Sequence, residues 1–217
     1  MAGAREESRA RTTAAILRAA REEIAAHGGG GLSMRAVARE VGMVSSAVYR
    51  YFPTREALLT AMILESYQSL AAALGEVRAR RADLRWKALG SAMRDWAIER
   101  PHEFQLIYGT PVPGYVAPPE TIPVAAAVAA PFLDVAKGVS VPPFARPALT
   151  RQMKDVAEAS GATGEAAAAV IAELAALVGI VTLELGGHLV GSADPADGLF
   201  AALLERQVDT LGLAGAG

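Results

Sequence analysis

A run of six residues near the N-terminus carries side chains that could contact nucleic acid. Four of them end in a hydroxyl or a guanidinium group and are Ser45, Ser46, Tyr49 and Arg50. Proteins use these groups to contact phosphate oxygens and the edges of bases. The two residues between them, Ala47 and Val48, are apolar, so a helix through this run would bury them and turn the polar side chains outward. The spacing therefore predicts a surface that fits a groove of DNA.

The segments around this run have the pattern of a helix-turn-helix. Ser33 is suited to cap a preceding helix. That helix has one apolar face, formed by Val37, Ala38 and Val41. Gly42 ends it, because glycine readily adopts the left-handed backbone found after a helix, and a second helix is predicted to begin near Met43 or Val44. In such motifs the second helix enters the major groove with its N-terminal residues near the bases.

The run from Met34 to Leu59 resembles the N-terminal domain of TetR/AcrR-type transcriptional regulators. The resemblance includes Tyr49-Arg50-Tyr51-Phe52 and Thr54-Arg55-Glu56-Ala57-Leu58-Leu59. It implies an all-α fold with two domains: a three-helix helix-turn-helix domain over residues 1–60, and a larger helical domain for effector binding and dimerisation over residues 61–217.

One residue of the motif departs from the family pattern. Val44 stands where the family commonly has Ser or Thr at the start of the recognition helix, so Ser45 is a candidate for the capping role. Arg55 takes the place of a family lysine that contacts a phosphate. The predicted DNA contacts are Ser33, Arg35, Ser45, Ser46, Tyr49, Arg50 and Arg55.

The charges are distributed unevenly along the chain. Residues 1–60 contain nine Arg and six Glu, whereas the rest contains 12 basic and 17 acidic residues, within an overall net charge of −2. Attraction to phosphates acts over roughly 8–10 Å, so a basic module can bind DNA within an acidic protein. A solvated charged face is the alternative interpretation of these arginines.

Composition and patterning favour a soluble cytoplasmic protein. Cysteine is absent, which excludes disulfides and thiolate chemistry and suits a reducing compartment. No signal peptide is evident, and the apolar stretch Ala166–Val190 is interrupted by Glu173, Glu184 and His188, so no membrane span is predicted.

Nothing in the sequence predicts catalysis. His27, His102 and His188 have no spacing that suits metal ligation, and no serine lies in a nucleophile-elbow sequence. We therefore expect no enzymatic activity, no metal and no cofactor.

The apolar periodicity predicts further helices. Residues 1–8 are expected to be a disordered arm and Gly28–Gly31 a flexible connector. The segments Gly109–Pro123 and Val141–Pro147 are expected to be irregular. The predicted helices are Arg9–His27, Thr54–Leu74, Trp86–Glu99, His102–Tyr108, Val124–Lys137 with a kink or division at Pro131, Ala148–Ala159, Gly164–Val190, and Pro195–Leu211 capped by Asp194.

The aromatic residues of the middle third are candidates for an effector pocket, because the TetR resemblance implies a small-molecule cavity there. Ordinary core packing is the alternative for each of them. The predicted effector-binding set, including polar partners, is Trp86, Trp96, His102, Phe104, Tyr108, Phe132, Glu184 and His188, with Gln105, Tyr115 and Phe144 as further candidates. The segment Pro101–Tyr115 also resembles a subset of TetR-type C-terminal domains that carries a Trp-His-Gly motif; here Leu177-Val178-Gly179 stands in its place, so the role of that Trp-His pair does not transfer.

The helices near 164–190 and 195–211 have more apolar residues than one buried face requires. The resemblance implies a homodimer in which they pair with their copies as a four-helix bundle. Burial in the core of a monomer is the alternative.

These observations predict a ligand-responsive repressor that binds a pseudo-palindromic operator in double-stranded DNA as a homodimer. The helix Thr54–Leu74 is predicted to link the effector pocket to the helix-turn-helix stretch Ser33–Phe52, which we call the reading head. The alternatives are an effector-independent regulator controlled by a protein partner, and an enzyme built on a helical scaffold.

Overall fold

The computed structural model describes residues 2–137, 139, 141 and 146–214, and over these residues the chain is helical and has no strand. The predicted all-α class is confirmed. Phe144 lies outside the described residues. The α-helices are α1 (Ala2–His27), α2 (Met34–Glu40), α3 (Ser45–Val48), α4 (Arg55–Gly75), α5 (Ala82–Glu99), α6 (Pro101–Tyr108), α7 (Thr121–Val135), α8 (Pro147–Gln152), α9 (Lys154–Ser160), α10 (Gly164–Leu185) and α11 (Asp197–Thr210), with a 3₁₀ turn at Gly29–Gly31.

The predicted disordered arm at residues 1–8 is wrong, because α1 begins at Ala2. The segment before Arg9 is rich in alanine, glutamate and arginine, which favour a helix, and no proline interrupts it. The helix therefore begins about two turns before the predicted start at Arg9. The glycine connector is also more regular than predicted, since Gly29–Gly31 forms a 3₁₀ turn.

Three predicted helix boundaries in the second half are wrong. The predicted helix over 148–159 is two helices, because the backbone of Met153 has φ −83° and ψ 3° and separates α8 from α9. Helix α10 ends at Leu185, before Gly187 with its left-handed φ of 71°. Helix α11 begins after Ala196, which provides no side-chain cap, so Asp194 is not the capping residue.

Helix α7 starts inside the predicted loop Gly109–Pro123. The turn that precedes it is closed by Thr121, whose Oγ1 donates to the carbonyl of Pro118 at 2.7 Å. Pro123 then lies in the first turn, where its missing N–H costs no helical hydrogen bond. Pro131 lies inside α7, which continues to Val135.

The chain packs as two units. One consists of the described residues of Met1–Ser66 and His102–Ile122, and the other of those of Tyr67–Pro101 and Pro123–Gly217. The chain thus leaves the second unit after Pro101 and enters it again at Pro123. We call residues 102–122 the returning segment, since by contact they belong with the N-terminal residues.

The first unit is built around the apolar faces of α1 to α4. Its core includes Ile16, Ala20, Val37, Val48, Leu58 and Leu59, each with no exposed surface. The returning segment packs against this core through Leu106, Val112 and Tyr115. A Cβ atom at Gly29 would lie only 2.9 Å from Cγ2 of Val112, so this close approach requires glycine.

Polar contacts attach the returning segment to α1 and α4 within the same unit. Arg21 on α1 pairs with Glu65 on α4, and its Nε lies 3.8 Å from Glu103 on α6. Ser66, which is buried, donates to Glu103 Oε2 at 3.3 Å. The hydroxyls of Tyr115 and Thr60 are 3.0 Å apart. Helix α6 is therefore held to two helices of the first unit by charge and hydrogen bonding as well as by packing.

The second unit has a buried polar contact between α5 and α11. Nε1 of Trp86 donates to Oε1 of Gln207 at 2.9 Å, and Nε2 of Gln207 donates to the carbonyl of Glu173 on α10 at 2.8 Å. Both Trp86 and Gln207 are fully buried. The ring of Phe132 packs edge-on against Trp86 with 5.2 Å between ring centroids. One glutamine side chain thus joins three helices.

Within the part of the chain that the structure describes, two helices are long and apolar enough to cross a membrane when judged by length and composition alone. They are Arg55–Gly75 and Gly164–Leu185, the second with a mean hydropathy of 2.3. Core helices of soluble proteins meet the same test, so this property does not identify a membrane protein.

We expect Gln207→Ala to lower the free energy of unfolding by about 2–4 kcal/mol, because it leaves a buried indole N–H and a carbonyl without their partners. Urea unfolding followed by circular dichroism measures the change. Gln68→Ala, at an exposed position of α4, is the control and should change the value by less than about 0.5 kcal/mol. An equal effect of both substitutions would contradict this role of Gln207.

Candidate nucleic-acid interface

Helices α2 and α3 form the predicted helix-turn-helix. Ser33 caps α2, and its Oγ accepts from the backbone N–H of Ala36 at 3.3 Å. Gly42 has the left-handed φ of 65° that the turn requires. Val48 of α3 is completely buried, whereas Ser46 is exposed. The predicted cap and turn are confirmed, and the helices present opposite faces to the core and to solvent.

The start of α3 differs from the prediction. Val44 occupies the N-cap position with φ −72° and ψ 145°, and no side chain accepts a hydrogen bond there. Ser45 is the first residue of the helix, so the prediction that it takes over the capping role is wrong. The first turn of α3 therefore lacks a side-chain cap.

The structure places six of the predicted DNA contacts on the accessible surface of the first unit. Tyr49 has 45% of its surface exposed. Exposed with it are Arg35, Ser46 and Arg50, while Ser33 and Ser45 are half-buried. Ser45, Ser46, Tyr49 and Arg50 are brought together by α3 and the residues that follow it, and Ser33 and Arg35 lie at the start of α2.

Arg55 has a structural contact that the sequence did not indicate. Its Nε donates to the carbonyl of Leu32 at 3.0 Å, and its Nη2 donates to the carbonyls of Gly29 at 2.8 Å and Gly30 at 3.0 Å. The half-buried guanidinium at the start of α4 thus binds the turn that connects α1 to α2. Its predicted phosphate contact stays a prediction.

Arg9, the first residue of the predicted helix Arg9–His27, lies near the motif and is absent from the predicted contact set. Its guanidinium carbon lies 5.1 Å from the centroid of the Tyr51 ring, a cation–π geometry. Because α1 is helical through this region, Arg9 has a defined position beside the residues that follow α3. The sequence predicts that Arg9 is helical, but its contact with Tyr51 depends on how α1 packs beside the residues that follow α3.

The predicted effector-binding residues divide between the two units. In the first unit His102 is exposed, Phe104 is buried and Tyr108 is half-buried, with 5.2 Å between the Phe104 and Tyr108 ring centroids. In the second unit Trp86 and Phe132 have no exposed surface and pack on each other, as ordinary core residues do. Two further members of the predicted set lie at the surface of the second unit: Glu184 is half-buried and His188 is exposed.

Trp96 borders an open cleft in the second unit with a volume of about 420 Å³. Its indole Nε1 donates to Oγ of Ser69 at 3.0 Å. The cleft is lined by residues of α4 and α5 and by Arg100, which follows α5. These residues are Ser69, Ala73, Ala92, Asp95, Trp96, Glu99 and Arg100. Trp96 is the member of the predicted effector set that contributes to it.

Glu184 is bound by Arg94, a residue that the sequence reasoning missed. Arg94 Nε and Nη2 donate to the two carboxylate oxygens of Glu184 at 2.8 and 2.6 Å, and Nη1 donates to Asp197 at 3.0 Å. The guanidinium carbon also lies 5.0 Å from the ring centroid of Phe200. The hydrogen bond and charge of Arg94 lower the pKa of the Asp197 carboxyl below its usual value. Both oxygens of Glu184 are therefore engaged within the protein.

Comparison with known proteins identifies the family. Residues 16–62 match the family "Bacterial regulatory proteins, tetR family", and residues 86–211 match "Tetracyclin repressor-like, C-terminal domain". The second match alone covers more than half of the chain. The chain belongs to the TetR family. The first match contains α2, α3 and all the predicted DNA contacts, and the resemblance found in the sequence is confirmed.

Relatives in the TetR family agree with this assignment. The chain is 41% identical over 144 residues to the HTH-type transcriptional regulator Rv1816 of Mycobacterium tuberculosis. The aligned region covers 64% of this chain and 62% of that protein. The chain thus spans about three fifths of the curated relatives that it matches. Regulators of the TetR family are soluble DNA-binding proteins and are generally not enzymes.

Solved structures support the TetR fold along nearly the whole chain. The regulatory protein SCO4313 superposes with a TM-score of 0.77 at 30% identity, over 94% of this chain and 98% of that one. The regulator FadR from Bacillus subtilis, solved in complex with stearoyl-CoA, superposes with a TM-score of 0.58 at 15% identity, over 90% and 97% of the two chains. At that identity the likeness to FadR concerns the fold alone.

Among the residues that the structure describes, no cluster of three or more His, Asp or Glu could hold a metal ion.

We expect Arg55→Ala to lower the free energy of unfolding by about 1–2 kcal/mol, since three carbonyls of the turn lose their charged donor. Arg55→Lys should recover only part of the loss, because a single ammonium group cannot reproduce the planar fork. Chemical denaturation measures both.

Arg50→Ala, which removes an exposed arginine of the same unit, is the control and should leave stability within about 0.5 kcal/mol of the parent. Unchanged stability of Arg55→Ala would show that this guanidinium does not hold the turn.

Arg94→Met should destabilise the protein by about 2–3 kcal/mol, because the Glu184 carboxylate, only 18% exposed, loses its partner. Replacing both residues, as Arg94→Met with Glu184→Leu, should restore part of the stability, since the charge left without a partner is that of Asp197, whose side chain is 71% exposed. Thermal unfolding provides the measurement.

Lys87→Met on the same helix is the matched control. The Lys87 ammonium lies 3.9 Å from Glu205 in an exposed pair, so its loss should cost at most about 1 kcal/mol. A double variant as unstable as Arg94→Met alone would contradict the pairing.

Proposed function

We propose that this protein is a ligand-responsive repressor that binds a pseudo-palindromic operator in double-stranded DNA as a homodimer. The observation that carries the proposal is the face of α3 and its flanking residues, which expose Ser46, Tyr49 and Arg50 while Ala47 and Val48 are buried. A helix held in this way on a TetR-type domain offers polar groups to a groove of DNA. Repression would follow from blocking access of the polymerase.

Each predicted contact has a role that its position supports. Arg35 and Arg50 are exposed cations that suit phosphate oxygens, whereas Ser45, Ser46 and Tyr49 suit base edges and the adjacent backbone. Ser33 positions α2 through its cap. Arg55 positions the reading head by holding the turn before α2, and a phosphate contact from the same side chain would add to this role.

A second copy of the chain accounts for the apolar surface of α10 and α11. In its most apolar stretch only 39% of α10 is buried within the chain. Large apolar side chains exposed on these helices are Ile171, Leu183 and Leu199. A two-fold dimer through the helices near 164–190 and 195–211 would cover this surface and would present two reading heads to successive major grooves, ~34 Å apart.

A small-molecule effector would bind in the second unit. The cleft beside Trp96 is large enough for a small ligand and combines an indole ring with polar groups. The FadR structure with stearoyl-CoA shows one ligand class bound by a protein of this fold. A ligand that prefers one spacing of the reading heads would release DNA in proportion to its difference in affinity for the two states.

Two structural links could carry such a signal. Helix α4 has residues in both units, as the predicted linking helix requires. The returning segment is covalently continuous with α5 and α7 at its ends and is attached to α1 and α4 by the contacts of Glu103 and Tyr115. A displacement at either end of this segment would therefore act on the helices that support the reading head.

An effector-independent regulator controlled by a protein partner is the second candidate. The observation that favours it is the tight packing of Trp86 and Phe132, because these members of the predicted effector set are completely buried against each other. Either regulator would act in the cytoplasm, where its operator is accessible.

Selection of bound sequences from a pool of random DNA, followed by titration across a salt series, tests DNA reading. We expect a pseudo-palindromic consensus. Tyr49→Ala should bind it about ten- to a hundredfold more weakly, the loss typical of one specific contact. Arg50→Ala should weaken binding to all sequences and reduce the salt slope by about one.

Arg78→Ala is the matched control for charge, since Arg78 is an exposed arginine outside the reading head, and it should leave both quantities unchanged. Failure to enrich any sequence, with wild type and Tyr49→Ala binding random DNA equally, would refute the proposed function.

A further inference from the structure

Val44 is an exposed apolar side chain at the centre of the reading head. It has 70% of its surface exposed, compared with 45% for Tyr49. Within residues 33–52, all of which the structure describes, these two are the large hydrophobic side chains that are exposed. Tyr49 has a hydroxyl that suits a polar contact, whereas Val44 can make only apolar ones.

The apolar residues next to Val44 are used by the core. Val41 and Met43 are half-buried and pack against the core of the first unit. Val44 belongs to the same turn, but its side chain does not join that packing. The hydrophobic core therefore does not explain a branched apolar residue at this position.

Local helix stability does not explain valine either. Val44 occupies the N-cap of α3 with extended backbone angles, and no side chain supplies the capping hydrogen bond. Serine, threonine, aspartate or asparagine at such a position commonly stabilises a helix, and valine does not. The chain thus has an exposed, non-capping residue where a capping residue would improve the fold.

The chemistry of the major groove supplies a partner for this side chain. Among the four bases thymine alone presents an apolar group there, the C5 methyl, and it is recognised by apolar contact. A branched side chain of two methyl groups at the position that precedes Ser45 and Ser46 is suited to cover such a methyl. The contact would remove both apolar surfaces from water without any hydrogen bond.

We propose that Val44 is a specificity-determining residue that contacts the C5 methyl of one thymine in each operator half-site, an inference that rests on the proposed function. The rest of the contact set reads hydrogen-bonding groups and phosphates. Val44 adds selection for an A·T pair at a single position, with the thymine on a defined strand.

Deoxyuridine substitution in the selected operator tests the contact. Deoxyuridine pairs like thymidine and lacks only the C5 methyl. For wild-type protein we expect one thymine in each half-site whose replacement weakens binding about fourfold, the effect of burying one methyl group. Replacing the equivalent thymine in both half-sites should weaken binding by more than tenfold.

The Val44→Ala variant completes a double-mutant cycle. It should bind the parent operator more weakly, by a factor similar to that of deoxyuridine in both half-sites, because both protomers carry the substitution. It should also bind the parent and deoxyuridine operators about equally, because the partner of the methyl is gone. Val44→Ser introduces a capping residue and should likewise lose the discrimination between thymine and deoxyuridine. It should be at least as stable as wild type, so a loss of discrimination in this variant cannot be attributed to unfolding.

Val116→Ala is the control, since Val116 is an exposed valine of the returning segment with 87% exposure, and it should retain the full response to deoxyuridine. The inference is overturned if no thymine shows the effect in a sequence-selective wild-type protein, or if Val44→Ala discriminates as wild type does. A wild-type protein that selects no sequence would overturn the proposed function itself, and this inference with it.

Discussion

The reading head depends on burial, because α3 is too short to be stable by itself. A four-residue helix forms too few hydrogen bonds to offset the cost of nucleation. Its position is set by Val48, which inserts into the core shared with α1, α2 and α4, and by Ala47, which is also buried. Everything that α3 can offer to a ligand follows from this constraint, since burying these two residues determines which side chains remain on the outside.

The supporting core is held by segments that are distant in the chain. Arg55 binds the glycine turn from the start of α4, and the close approach of Val112 to Gly29 brings the returning segment against the same turn. Arg21 and Glu103 add an electrostatic contact between α1 and α6. By contact, the first unit therefore includes residues 102–122, which lie beyond α5 in the chain, together with the N-terminal helices.

Two polar groups of the predicted effector-binding set are bonded to other side chains of the protein. Glu184 is engaged by Arg94, and the indole of Trp86 by Gln207. Buried or half-buried polar groups require such partners, since leaving them unpaired costs more than their hydrogen bonds contribute. Val44 shows the opposite situation, because an apolar side chain remains exposed where neither packing nor capping uses it. Residue type alone does not distinguish these cases.

The sequence by itself determined the features that depend on neighbouring residues. The cap at Ser33, the left-handed turn at Gly42 and the alternation of buried and exposed residues in α3 follow from local chemistry, and together with the resemblance they identified the TetR family. Tertiary structure decided what depends on distant partners: the carbonyls that bind Arg55, the pairing of Arg94 with Glu184, and the return of residues 102–122 to the first unit. Periodicity reports which face of a helix is apolar, but the identity of the group that meets a side chain from far along the chain is set only when the helices pack.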